Sequence, residues 1–123
     1  MEAKNSEIIT AFEALREMAE VYLPVSGALK VRRIAKELQN RVEEVEEVRK
    51  QLVTKYGAKD ENGEVIVLEN GAAQIEDIEG FSREYKELME ISSSYDTVLT
   101  KEDLGSGEVK VQTVIKLGPW LED

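Results

Sequence analysis

The chain contains no cysteine and no histidine among its 123 residues. Without cysteine it can form no disulfide, and it offers no thiolate metal ligand or cysteine nucleophile. Without histidine it lacks the commonest general base, the usual zinc ligand and any triad of the serine–histidine type. Carboxylates and lysines are left for acid–base chemistry, and no catalytic arrangement of them is recognisable. We therefore expect a protein that is not an enzyme and that carries neither a metal nor a cofactor.

Long apolar runs are also missing, since no stretch approaches the ~20 apolar residues of a membrane span. No basic leader with an apolar segment follows Met1, so we expect no secretory signal and a cytoplasmic location. With 41% hydrophobic and 34% charged residues the chain should fold, and its length predicts one domain over residues 1–123. The formal net charge of −10 argues against general nucleic acid or a membrane as a partner.

Two amphipathic helices are predicted in the first half of the chain. Apolar side chains at spacings of three and four predict a first helix within residues 1–23, which ends before Pro24. A longer stripe predicts a second helix over residues 26–57, with Ser26 as its N-terminal cap and Gly57 as its C-terminal cap. The stripe of this long helix consists of Val31, Ile34, Leu38, Val42, Val45, Val48, Leu52 and Tyr56. Because the first helix is too short to cover the whole stripe, we expect a homo-oligomer that assembles through the long helix.

The second half of the chain mixes turn, helix and strand signals. Two Asn-Gly dipeptides predict the turns of a small β-hairpin within residues 58–75, and a third helix is predicted over residues 77–90. Alternating apolar and polar residues predict a β-ribbon within residues 95–117, and Trp120 should anchor the last segment, residues 118–123, on the core. We expect no internal repeat. The predicted fold class is α+β, mainly α: a long amphipathic helix packed with two shorter helices plus a small antiparallel β-ribbon.

Four cations crowd the opening turns of the long helix, where they oppose the helix dipole at a cost of a few tenths of a kcal/mol each. A phosphate, held also by backbone N–H groups at the helix start, would offset this cost. The predicted anion site consists of Ser26, Gly27, Lys30, Arg32, Arg33 and Lys36. The alternative, favoured in so acidic a chain, is that these cations pair with carboxylates, for example Arg33 with Glu37 or the cluster with acidic residues of the first helix.

A run of glutamates follows the cations on the same helix. Paired carboxylates can serve acid–base chemistry or hold a divalent metal, but no His or Asp joins this run. We therefore interpret the run as a solvated acidic face. The residues concerned are Glu43, Glu44, Glu46 and Glu47. The acidic turn that begins at Asp60 lacks the ligand spacing of a calcium loop, so we interpret it as an ordinary turn.

Turn, cap and aromatic residues follow a distinctive order from the end of the long helix to the end of the chain. They are Lys55-Tyr56-Gly57, Lys59-Asp60-Glu61-Asn62-Gly63-Glu64, Phe81, Glu84, Glu87, Leu88 and Leu117-Gly118-Pro119-Trp120-Leu121. In this order the chain resembles a family of small uncharacterised proteins encoded by phages and prophages of Gram-positive bacteria. The resemblance implies a phage protein that works in the bacterial host cytoplasm or in a virion.

Two functions are compatible with these observations. The first is a non-enzymatic phage protein that oligomerises and inhibits or sequesters a host component, with a small anionic nucleotide immune signal or a host protein as its partner. The alternative is a structural or chaperone protein of the virion or of tail assembly, in which the long helix serves as an interaction rod.

Overall fold

The computed structural model describes residues 1–105 and 109–122, which are mainly helical and include one small two-stranded sheet. The predicted fold class, α+β and mainly α with a long helix packed on shorter ones, is confirmed. In chain order the elements are β1 (Glu2–Lys4), α1 (Asn5–Met18), α2 (Val25–Tyr56), α3 (Ile78–Glu90), β2 (Ser92–Ser94), α4 (Lys101–Leu104), α5 (Val111–Leu117) and a 3₁₀ turn (Gly118–Trp120).

The larger apolar cluster lies between α1, the first half of α2 and the C-terminal elements. Both helices bury residues spaced three or four apart, because this spacing keeps side chains on one face. The alanines of α1 are buried completely, and their small size lets the neighbouring helix approach closely. The buried members are Ala3, Ile8, Ala11, Ala14, Leu15, Met18, Val31, Ile34, Leu38, Leu99, Leu117 and Trp120.

A second, smaller cluster covers the other half of α2. Val45 and Leu52 of α2 pack with Leu88 of α3, and the aromatic rings of Phe81 and Tyr85 stack beside them at 5.7 Å between centroids. The apolar stripe of α2 is therefore covered within one chain, first by α1 and then by α3, except at Val48, which is 38% exposed. An uncovered stripe was the reason to expect a homo-oligomer through the long helix, and the contact with α3 covers most of the part that α1 leaves open. Oligomerisation itself stays a prediction.

The ends of the first two helices differ from the predicted bounds. Helix α1 ends at Met18 rather than near residue 23, and the following residues form a connection in which Tyr22 is 97% exposed. Helix α2 begins one residue earlier than predicted, with Pro24 in place of Ser26 at the N-cap position. Gly57 does end α2, but in an extended conformation, so its role needs no left-handed backbone.

Residues 57–75, which we name the triangular ribbon, contain β-structure, as predicted, but with three short sides instead of the two strands of a hairpin. Each side pairs with the other two through single antiparallel bridges, and asparagine–glycine turns form two of the corners. The bridges join Gly57 to Ile75, Lys59 to Val65, and Val67 to Ala73.

Backbone hydrogen bonds close the triangular ribbon at three positions that are eight residues apart. The N–H of Ala58 donates to Gln74, that of Gln74 to Ile66, and that of Ile66 to Ala58, at 2.8 to 2.9 Å. The two corner glycines, Gly63 and Gly71, are also eight residues apart and adopt φ angles of 80° and 84°. The chain thus contains a short repeat of eight residues, contrary to our expectation.

The β-ribbon predicted within residues 95–117 is wrong. The observed sheet pairs β1 with β2, in the antiparallel register Glu2 to Ser94 and Lys4 to Ser92. Residues 111–117 form the helix α5, because Thr113 and Leu117, four apart, both face α1 and are buried there. Residues 106–108, which fall inside the predicted ribbon, lie outside the described part of the chain.

The C-terminal segment is anchored as predicted, over the part of residues 118–123 that the structure describes. Trp120 is completely buried in the larger apolar cluster, with the ring of Tyr95 5.5 Å away between centroids. The backbone of this segment is fixed as well, because Leu99 donates its N–H to the carbonyl oxygen of Trp120 at 2.6 Å.

Candidate functional site

The six residues of the predicted anion site divide into an inward and an outward group. Gly27 is buried and Lys30 is partly buried, because both lie on the side of α2 that packs against α4. The other four side chains are exposed to solvent on α2. The outward group consists of Ser26, Arg32, Arg33 and Lys36.

The inward group is organised by the carboxylate of Asp103 in α4. The ammonium group of Lys30 donates to Asp103 Oδ2 at 2.9 Å, and the backbone N–H of Thr100 donates to the same oxygen at 2.9 Å. Asp103 is only 3% exposed, and the hydrogen bond from Lys30, followed by those from Thr100, holds the pKa of this carboxyl below its ordinary value. The anion that offsets the charge of Lys30 is therefore a residue of the chain itself.

The backbone of α4 occupies the space beside Gly27, which leaves no room for a side chain at this position. A Cβ atom on Gly27 would overlap the carbonyl oxygen of Asp103 and would lie 2.7 Å from its carbonyl carbon. The first turn of α2 is thus covered by protein at this point. Gly27 and Lys30 serve the contact between α2 and α4, which leaves only the outward group available to a ligand.

The outward cations have no partner of opposite charge within the part of the chain that the structure describes. No carboxylate there lies within 4.0 Å of the charged atoms of Arg32, Arg33 or Lys36. In particular, the predicted pair of Arg33 with Glu37 is not formed. Three positive charges are therefore left in solvent on two turns of one helix.

A carboxylate of the first helix has other partners. Glu17 of α1 accepts hydrogen bonds from the hydroxyl group of Thr113 at 2.6 Å and from the ammonium group of Lys116 at 2.9 Å. Both bonds lower the pKa of Glu17, and the bond from Thr113 contributes more than the bond from Lys116. The contact holds α5 against α1, so this carboxylate does not neutralise the cations of α2.

Exposed apolar side chains accompany the outward cations. Val25 is 78% exposed and Leu29 is 65% exposed, although α2 buries its apolar stripe on the opposite side. Because positions 25, 29, 32 and 36 are three or four apart, they lie in one row along the helix. Tyr22 is exposed just before this row begins. We name this surface the opening face of α2: Tyr22, Val25, Leu29, Arg32, Arg33 and Lys36.

The glutamates that follow are engaged mainly with cations of their own helix. The guanidinium group of Arg49 donates two hydrogen bonds to Glu46, at 2.5 and 3.0 Å, and these bonds lower the pKa of Glu46. Looser pairs join Glu44 to Arg41 and Glu47 to Lys50. Glu43 accepts a hydrogen bond from Gln39 at 3.2 Å. In residues 1–105 and 109–122 no group of three acidic side chains is arranged to hold a metal ion.

No protein-family model matches the chain, and neither a curated protein nor a solved structure matches it. The resemblance to phage proteins therefore stays an expectation. Within the described residues, no helix is both long enough and apolar enough to cross a membrane.

The site predicted from the sequence contains the cations of the opening face but not its apolar members. The signal was present, since Val25 and Leu29 fall on the polar side of the helix that the stripe from Val31 onward defines. A large apolar residue on a polar face is informative when charged residues surround it, because interfaces often combine the two.

Proposed function

We propose that this chain is a non-enzymatic binding protein that holds a protein partner on the opening face of α2. In keeping with the phage resemblance, the partner belongs to the bacterial host, and holding it sequesters or inhibits it. The observation that carries this proposal is the row of exposed apolar side chains beside three cations that have no carboxylate partner in the described residues.

The composition of the opening face specifies the chemistry of its partner. A partner that covers Tyr22, Val25 and Leu29 removes their apolar surface from water. This burial stabilises the complex by roughly 25 cal/mol per Å² of apolar area. Arginine and tyrosine are also the residues that most often dominate binding at protein interfaces. A matching surface therefore has an apolar centre with carboxylates around it.

The shape of the opening face favours a protein over a nucleotide. Small ligands bind in clefts that bury most of their surface, whereas this face is a row on the outside of a single helix. The inner residues that would have cradled a phosphate, Gly27 and Lys30, are engaged with Asp103. A groove of about 270 Å³ lies elsewhere, between α1 and the C-terminal elements, and is lined by none of the opening-face residues.

Site-specific photocrosslinking in a Gram-positive host tests the proposal. A benzophenone amino acid in place of Leu29 should form adducts with one or a few proteins, which mass spectrometry identifies. The charge reversal Arg32→Glu/Arg33→Glu should remove these adducts, because it repels a partner whose carboxylates surround the contact.

A matched control carries the same amino acid in place of Val111, which is 75% exposed on α5. Adducts that form equally at both positions, or that survive the charge reversal, would show that the opening face is not a specific binding surface.

A virion or tail-assembly component remains the second candidate function. The observation that favours it is the distribution of charge along the molecule, since the cations and a strongly acidic segment lie at opposite ends of one long helix. Mass spectrometry of purified phage particles separates the two candidates, because only the second predicts that the chain is abundant in the particle.

A further inference from the structure

We propose that the opening face of α2 binds the triangular ribbon of a second copy of this chain, so that copies join head to tail. This inference rests on the proposed function, because it uses the same surface: the ribbon of a second copy and a host protein would compete for the opening face. It is carried by two surfaces at opposite ends of α2 that complement each other in charge and that both expose apolar side chains.

Charge complementarity is the first argument. Residues 21–36 contain four basic residues and no acidic one, whereas residues 57–79 contain seven acidic residues and one basic residue. That one cation, Lys59, is engaged with backbone, since its ammonium group donates to the carbonyl oxygens of Thr54 and Gly57. The acidic side chains of the ribbon therefore have no cation of their own segment to pair with.

Exposed apolar side chains are the second argument. The ribbon exposes Val67 by 66% and Leu68 by 45%, and the exposed carboxylates Glu64 and Glu69 lie near them in sequence. This is the composition that the opening face requires of its partner, an apolar centre with carboxylates around it. The bridge of Val67 to Ala73 fixes this part of the backbone, so the surface is already formed before binding.

Distance excludes a contact between the two surfaces of one copy. From Lys36 to Tyr56 the rigid helix α2 spans 20 residues, or about 30 Å at 1.5 Å per residue. The ribbon begins directly after Tyr56. Only the ribbon of another molecule can reach the opening face, and a contact between two different surfaces propagates into rings or open chains of copies.

A symmetric pairing of two α2 helices is the competing arrangement. It would bring the cations near residue 33 of one copy against the glutamates near residue 47 of the other. The exposed row of α2 beyond Lys36 is polar, however, and ion pairs between exposed side chains contribute only about 0–1 kcal/mol each. The ribbon offers apolar contact in addition to charge, so the head-to-tail arrangement is favoured.

The overall charge of −10 does not prevent this association at physiological ionic strength. Charges there are screened over about 8 Å, so groups in contact feel their immediate neighbours rather than the whole molecule. Added salt should weaken the contact, because its specificity depends on local charge.

Complementary variants test the proposal by sedimentation velocity. Arg32→Glu/Arg33→Glu inactivates the opening face and keeps the ribbon, whereas Glu64→Lys/Glu69→Lys inactivates the ribbon and keeps the opening face. The wild-type protein should gain mass steadily with concentration, and each variant alone should stay at the monomer mass of 13.9 kDa. An equimolar mixture of the two variants should again gain mass with concentration, because opposite charges meet both in the intact contact and in the contact whose two sides are both reversed.

Control variants reverse charges on the outer side of α3. Arg83→Glu/Lys86→Glu matches the first variant and Glu87→Lys/Glu90→Lys matches the second, and all four positions are exposed. Both controls should associate as the wild type does. Circular dichroism should show the same helix content and melting temperature for all variants, which excludes unfolding as the cause of any difference.

Three results would overturn the proposal. They are a wild-type protein that stays monomeric at all concentrations, a ribbon variant that still dimerises by itself, and a mixture of the two variants that stays monomeric. A monomeric wild type that still forms photoadducts with a host protein at residue 29 would reject the second copy as partner and leave the proposed function standing. A wild type that neither associates with itself nor forms photoadducts with a host protein would reject both the head-to-tail contact and the proposed function.

Discussion

Gly27 of α2 lies directly against the backbone of Asp103 in α4, so that a Cβ atom at Gly27 would be 2.7 Å from the carbonyl carbon of Asp103. This close approach fixes the short helix on the start of the long one. The cations at the start of α2 therefore divide into two groups. Lys30 pairs with Asp103 of α4, whereas Arg32, Arg33 and Lys36 are exposed to solvent.

The substitution Gly27→Ala should destabilise the protein. In a helix alanine is ordinarily the better residue by about 1 kcal/mol, but here the added methyl group meets rigid backbone rather than a movable side chain. We expect a net loss of about 2 kcal/mol, which lowers the melting temperature by about 5–10 °C for a chain of this size. Thermal denaturation followed by circular dichroism measures it.

Ser26→Ala is the matched control for this substitution. Ser26 is exposed on the same helical turn, so the added preference for helix should leave stability unchanged or slightly increased. An equal loss of stability in both variants, or no loss at Gly27→Ala, would contradict the close contact between α2 and α4.

The ion pair between Lys30 and Asp103 should make stability depend on pH. The pKa of Asp103 is lowered in the folded chain, chiefly by the hydrogen bond from Lys30, so the unfolded chain takes up the proton first as the pH falls. The stabilisation is therefore complete above the ordinary pKa of 3.8 and is lost as the pH falls through the lower, folded value. Asp103→Asn should reduce the free energy of unfolding by about 2 kcal/mol at neutral pH, and this difference should shrink below about pH 4.

Urea denaturation at several pH values measures this difference between the wild type and Asp103→Asn. Glu102→Gln removes a charge from the exposed neighbouring position of α4 and should behave as the wild type at every pH. A difference for Asp103→Asn that is equally large at acidic and neutral pH would assign its effect to something other than the charge.

Nucleotides should not bind to the opening face. Two residues of the predicted phosphate site, Gly27 and Lys30, are engaged with α4, and the remaining cations lie on an open helical row. Calorimetric titration with cyclic and linear nucleotides should therefore give only heats of dilution. Tight binding that Arg32→Ala/Arg33→Ala abolishes would restore the nucleotide as the ligand and would reject a protein partner as the first choice.

The parts of the fold that the sequence predicts are those in which local signals and tertiary contacts agree. The stripe of α2 determines which side is buried, and Asp77 caps α3 at the predicted start by accepting a hydrogen bond from the N–H of Gly80 at 3.0 Å. The two Asn-Gly turns adopt the positive φ angles that glycine permits. In each case a few neighbouring residues suffice to decide the local structure.

The errors arose where a distant contact decides the structure. Alternating apolar residues from Val109 to Leu117 are typical of a strand, but Glu17 of α1 binds both Thr113 and Lys116, which are three apart as on a helix. Likewise, the apolar stripe of α2 predicts that another element packs on it. The stripe alone does not indicate whether that element is α3 of the same chain or a helix of another copy. The exposed apolar residues of the opening face were missed because they interrupt a polar pattern rather than form one of their own.

Paramagnetic relaxation between copies measures the head-to-tail contact itself. The chain has no cysteine, so Ser26→Cys provides a unique position for a spin label beside the opening face. This labelled copy is mixed with a ¹⁵N-labelled copy that carries no spin label. A head-to-tail contact predicts selective broadening of amide signals in residues 64–70 of the ¹⁵N copy, and none on the outer side of α3. Broadening confined to residues 50–56 at the end of α2 would instead show that two α2 helices pair symmetrically, and the absence of any broadening would contradict the head-to-tail contact.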